Sequence, residues 1–132
     1  MIVTRITPEF ITELSESEIF VFGSNLKGHH YGGAARIARN KFGAIHGQGI
    51  GIQGQSYAIP TMQGNIDTIK PYVDEFIKFA ICHKEMKFLV TKIGCGIAGY
   101  TPEDIAPMSK IAIDLKNIYI PISFLKILLK LD

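Results

Sequence analysis

The sequence predicts a single α/β domain whose sheet is mostly parallel or mixed, with helices on both faces. Three observations lead there. The hydrophobic repeat switches several times between strand-like and helix-like periods, the strand segments are short continuous apolar runs as in strands covered on both faces, and the two kinds of segment alternate. A chain of 132 residues needs only one core, so residues 1–132 are read as one domain.

Met1–Ile6 reads as a strand, and Thr7 followed by Pro8 and Glu9 as the opening of a short helix through Leu14. Ile19-Phe-Val-Phe22 is an unbroken apolar strand. From Gly33 to Phe42 the pattern is helical, with Ala34, Ala35, Ile37 and Ala38 inward and Arg36, Arg39 and Lys41 outward. Ser56-Tyr-Ala-Ile59 is a strand stopped by Pro60. Ile69, Val73, Phe76, Ile77, Ala80 and Ile81 define the longest helix, starting near Thr68. Lys87–Ile93 is the next strand, and Thr101-Pro-Glu-Asp104 carries the cap, proline and acid of a helix start. Asn117–Ile122 closes the series as a strand. The tail Phe124–Leu131 fits both periods, and three readings stay open: a strand, a final helix, or a contact through which the chain forms a homo-oligomer.

Fourteen basic and twelve acidic side chains leave a net charge of +2, without the basic excess of a nucleic-acid-wrapping domain; no nucleic-acid partner is expected. Neither a run of about 20 apolar residues nor a secretory leader pattern occurs, so no membrane partner is expected and the compartment is read as cytoplasmic. Cys82 and Cys95 are read as free thiols.

Nine of the thirteen glycines lie between Gly23 and Gly54, and three more, Gly94, Gly96 and Gly99, follow the Lys87–Ile93 strand. Glycines at strand ends let backbone N–H groups approach a ligand, the construction of an anion cradle. Acidic residues sharpen this: the 47 residues from Ile19 to Asn65 hold none, where the chain average would put about four, and Met86–Pro102 holds none either. Lys27, Arg36, Arg39 and Lys41 lie in the first segment. The combination points to a ligand that bears phosphate. Gly23-Ser-Asn-Leu-Lys-Gly28 through Gly32, Gly33, Ala34 and Ala35 leads from a buried strand into a helix, so its N–H groups and the helix N-terminus face one crevice. It lacks the Gly-Lys-Ser/Thr of a P-loop, and Gly49-x-Gly51-x-x-Gly54 precedes a strand where a dinucleotide fingerprint would lead into a helix.

Phe20-Val-Phe-Gly-Ser-Asn25, Leu26-Lys-Gly28 and Gly32-Gly-Ala-Ala-Arg-Ile-Ala38, then Gly54-Gln-Ser-Tyr-Ala-Ile-Pro60 and Ile93-Gly-Cys-Gly-Ile-Ala-Gly-Tyr100, occur in the order of the motifs of macro domains. The chain resembles that family over much of its length, and is closest in motif to small bacterial and phage macro-like proteins. The resemblance implies a three-layer macro-like fold and recognition of ADP-ribose or a related small nucleotide, with no further cofactor. Its diphosphate would lie between two loops: Gly23, Ser24, Asn25, Gly28, Gly32, Gly33 and Ala34 in the first, and Gly94, Cys95, Gly96, Ile97, Ala98, Gly99 and Tyr100 in the second. Asn25 would face the distal ribose and Tyr100 would stack on or cover it. Two family features are absent, the acidic residue of hydrolytic members at the start of the loop helix and the Gly-Asp-Ile/Val string that contacts adenine. The expected function is therefore binding; the alternative is hydrolysis of an ADP-ribosyl or related nucleotide linkage, with Asn25 positioning a water and His29 or His30 assisting.

His29 and His30 are read as a general acid/base or phosphate donor, against plain solvent-facing loop histidines. Asn25 is set against a side chain that only bonds its own turn, and Cys95 is read as packing under its loop. Metal binding by His29, His30, His46 and Cys95 is not expected from their spacing. Gln48, Gln53 and Gln55 either bond a base or ribose or solvate a loop.

Overall fold

The computed structural model describes residues 5–130. A five-stranded sheet runs in the order β2-β3-β1-β4-β5, with β1 at Glu18–Ser24, β2 at Gly51–Gln53, β3 at Ser56–Pro60, β4 at Lys87–Val90 and β5 at Ile118–Tyr119. β1 pairs in parallel with β3 (Val21 opposite Tyr57) and β4 (Val21 opposite Val90), β4 pairs in parallel with β5, and only β2 is antiparallel, to β3. The sheet is thus mixed.

Successive side chains of a strand point to opposite faces, and the core divides accordingly. Ile19 and Val21 of β1, Tyr57 and Ile59 of β3, and Phe88 and Val90 of β4 join the larger cluster. It is completed by helix α2 (Lys70–Cys82), the short α3 (Pro102–Ile105), the 3-10 segment Ala106–Asp114, and α4 (Ile122–Lys130). Phe20, Phe22 and Ala58 on the other face pack with Ala35, Ala38 and Phe42 in and just after α1 (Gly33–Lys41). Helices therefore cover both faces, unequally. Among the described residues no helix is long and apolar enough to cross a membrane.

Several expectations are corrected. Residues 7–14 are not helical: Thr7 N–H bonds Ile120 O (2.9 Å), while Ile11 and Leu14 pack on the Phe20/Phe22 cluster. These contacts tie the segment to the β5 edge at one end and to the β1 side chains at the other, and its apolar residues are placed by them and not by a helical repeat. Of the expected strand 1–6, residues 1–4 lie outside the described residues, and Ile6 makes one parallel bridge to Ile120. Strand β2, with its antiparallel pairing to β3, is an addition; the glycines in and around it hide the apolar alternation that marks a strand. Helix α3 begins at the capping box of Thr101 and Asp104 but gives way to 3-10 geometry at Ala106, since Pro107 has no N–H for the next α-helical bond. The tail is helical through Lys130, with Phe124, Leu125 and Leu128 buried; Leu131 lies outside the described residues.

Candidate functional site

The site follows from topology. Strands β1 and β4 are parallel neighbours, but the chain leaving β1 turns to α1 on one face, whereas the chain leaving β4 turns to α3 on the other. Where connections from adjacent strands part in this way, a crevice opens beyond their carboxyl ends. It has a volume of about 400 Å³ and is lined from the β1 exit by Gly23, Ser24, Asn25, His29, Tyr31, Gly32, Gly33, Ala34 and Ala35. Thr61 and Met62 after β3, and Thr91, Lys92, Ile93, Gly94, Gly96, Ile97 and Ala98 after β4, complete it.

Gly23 is where the walls meet. A Cβ there would stand 3.2 Å from Thr61 Oγ1 and 3.3 Å from Gly94 N, so a hydrogen at this position lets three strand exits converge. The first loop is fastened to residues 43–50: Gly47 N–H bonds Gly28 O (2.8 Å), Ser24 Oγ donates to Gly49 O (2.5 Å), and Gly28, at φ +70°, lies directly against the backbone of Gly47 and Gln48. The loops also meet across the mouth, where Ile97, 75% exposed, carries its Cδ1 to 3.2 Å from the Cβ position of Gly32.

The crevice is rich in donors. Helix α1 has no side-chain cap, and its first backbone bond is Arg36 N–H to Gly32 O (3.3 Å), so the N–H groups of Gly33, Ala34 and Ala35 precede the helical ladder. In the second loop Cys95, Gly99 and Tyr100 donate to Lys92, Gly96 and Gly94, while the N–H groups of Gly96, Ile97 and Ala98 make no backbone bond among the described residues. No carboxylate lines the crevice, and Lys92 is its one lysine. Lys27, Arg36, Arg39 and Lys41 do not line it, so Lys92 and the peptide dipoles are the positive features of its lining.

Five expected residues lie outside the lining. His30 is fully buried, with Nε2 3.0 Å from Gln48 O and 3.3 Å from Gln53 Oε1 and its ring edge-on to Phe22. It joins the first loop to residues 43–53 and does not face the crevice. Gly28 is consumed in the backbone contact described above. Cys95 packs half-buried against the larger cluster, and desolvation raises its thiol pKa; the charges of Glu103 and Asp104 add to this while Lys92 opposes it, which disfavours the thiolate. Tyr100 also packs on that cluster and donates its hydroxyl to Gly64 O, so it closes the second loop from behind instead of covering the crevice. Gly99 turns the same loop.

Asn25 lines the crevice, but its amide is engaged: Oδ1 accepts from His29 N–H (2.8 Å) and Nδ2 donates to His29 O (2.9 Å). That closes the loop and fixes the backbone of His29. The three glutamines serve the scaffold as well, Gln48 bonding Ile50 O and Ile52 O, Gln53 bonding Ile45 N–H, and Gln55 bonding Ser15 O and Glu18 O.

Tyr31, Thr61, Met62, Thr91, Lys92 and Ile93 are crevice residues that sequence reasoning missed, while Ala35 follows from the crevice-facing loop. The residues after β3 had a signal in the general rule that parallel strands offer ligands their carboxyl ends. Tyr31 had none. At the rim the rings of His29, Tyr31 and His46 lie 5.1–5.5 Å apart, with His29 and His46 nearly parallel at 13°. Desolvation, followed by the nearby Arg39 guanidinium, holds His46 below the ordinary histidine value of 6.5, which favours a neutral ring at pH 7. No group of three or more His, Cys, Asp or Glu side chains among the described residues is arranged to hold a metal ion.

Compared with protein-family models, curated proteins and solved structures, the chain matches none.

Proposed function

We propose that the protein binds a small nucleotide that bears a diphosphate, of the ADP-ribose type, in the crevice between the loops after β1 and β4. One observation carries the reading. Two acid-free glycine loops, far apart in sequence, converge at the carboxyl ends of adjacent parallel strands and line one cavity with Lys92 and with residues whose N–H groups make no backbone bond among the described residues. Such donors suit phosphate oxygens, and the volume falls within the range of small-molecule sites, roughly 300–1,000 Å³. Macro-domain motifs in the same two loops favour ADP-ribose among diphosphates. Binding without turnover is the simpler reading, because no carboxylate lines the crevice to act as a base and His30 is buried away from it.

Calorimetric titration with ADP-ribose, AMP, NAD and ribose 5-phosphate tests it. Tightest binding of ADP-ribose, without release of products on prolonged incubation, is the expected outcome. A folded protein that binds none of the four removes the proposal.

A further inference from the structure

The rim of the crevice has a feature that phosphate binding does not use. From the core outward, Phe22 meets His30 edge-on, His30 meets His46 edge-on at 6.3 Å, and His46 joins His29 and Tyr31 in a three-ring cluster. Two separate loops build the cluster, and both are fixed. The Asn25 amide holds His29 by its N–H and its carbonyl, and the Gly47–Gly28 and Ser24–Gly49 hydrogen bonds hold the loop that carries His46. Tyr31 is 67% exposed and lines the same cavity as the free N–H groups of the helix start.

We infer that Tyr31, backed by His29 and His46, is the seat of the ligand's nucleobase, which stacks on the tyrosine ring while the phosphates lie against the start of α1 and the second loop. The inference rests on the phosphate reading of the crevice and adds the position of the base and the manner of its recognition. A ring in contact with two others on fastened loops presents a π-face at little further ordering cost, and stacking suits any base because every base has such a face. Selectivity among bases should accordingly be weak.

Proton NMR of the full chain, following the ring signals of Tyr31, His29 and His46, tests the inference with three probes: adenosine, which lacks phosphate, pyrophosphate, which lacks a base, and ADP-ribose. Adenosine and ADP-ribose should move the Tyr31 signals upfield, and pyrophosphate should not. In parallel titrations Tyr31→Ala should weaken ADP-ribose about tenfold and leave pyrophosphate within about twofold, and Tyr31→Phe should bind like the parent because the ring face is kept. Ring signals that stay still with adenosine and ADP-ribose, or a Tyr31→Ala variant with undiminished ADP-ribose affinity, would overturn the assignment. Adenosine shifts without any pyrophosphate binding would refute the phosphate reading and leave the stacking seat standing; pyrophosphate binding without base-induced shifts would do the reverse.

Discussion

At Gly96 the requirements of the fold and those of the site separate cleanly. Nothing lies within 4 Å of where its Cβ would stand, and its φ is outside the left-handed region, so a side chain fits there without disturbing the backbone. Yet the residue lines the crevice. Gly96→Glu should therefore fold with its stability nearly unchanged and lose ADP-ribose binding, because a carboxylate would occupy the space and repel phosphate. Denaturation and calorimetry on one preparation check both halves, and binding at the parent's affinity would show that the phosphates lie elsewhere. His29 and His30 make the same distinction within a dipeptide: the first lines the crevice, whereas the second is sealed between Phe22 and Gln53. Nothing in the sequence separates two adjacent loop histidines, since the difference arises from residues 8 to 23 positions away.

Among the elements, α4 is the one whose pattern left most open. As a helix it turns Phe124, Leu125 and Leu128 into the larger cluster, against α3 and the Ala106–Asp114 segment, and leaves Ile122 and Leu129 in solvent. The tail is thus part of the chain's own core. Leu128→Ala should lower the unfolding free energy by about 2–5 kcal/mol, as for other fully buried leucines; denaturant unfolding followed by circular dichroism checks it, and a loss below about 1 kcal/mol would mean that the helix is not seated there. The α2 helix was legible from sequence alone because its apolar positions repeat over thirteen residues. Residues 7–14 misled because Thr-Pro-Glu imitates a helix start, while the segment is instead held irregular by the Thr7–Ile120 bond at one end and by Ile11 and Leu14 packing on the Phe20/Phe22 cluster at the other.

For the molecule as a whole, β1 is the central strand. It has neighbours on both sides and a cluster on each face, and Val21 and Phe22 are fully buried. Opening it requires both layers to part. Amide hydrogen exchange should accordingly be slowest at residues 20–22, approaching the global unfolding free energy, and fastest along the Ile11–Ser15 connection and the second glycine loop. Exchange of the β1 amides as fast as those of α1 would contradict this hierarchy. The same centrality places the site, since the loop that leaves β1 is held by the most stable part of the sheet.

The sequence by itself determined the α/β class, the core strands β1, β3 and β4, helices α1 and α2, and the two acid-free glycine loops, because periodicity, caps and charge exclusion act over neighbouring residues. Much of the lining followed as well: Gly23, Ser24, Asn25, Gly32, Gly33, Gly94 and Gly96 all line the crevice. Tertiary structure alone decided which face each connection takes and hence that the crevice opens between β1 and β4. It decided that Thr61, Met62 and Lys92 border that crevice, that Tyr100 backs its loop, and that Tyr31 meets His46 across fifteen residues. Those outcomes depend on strand order and on contacts between loops remote in sequence, which a local pattern of residue types does not encode.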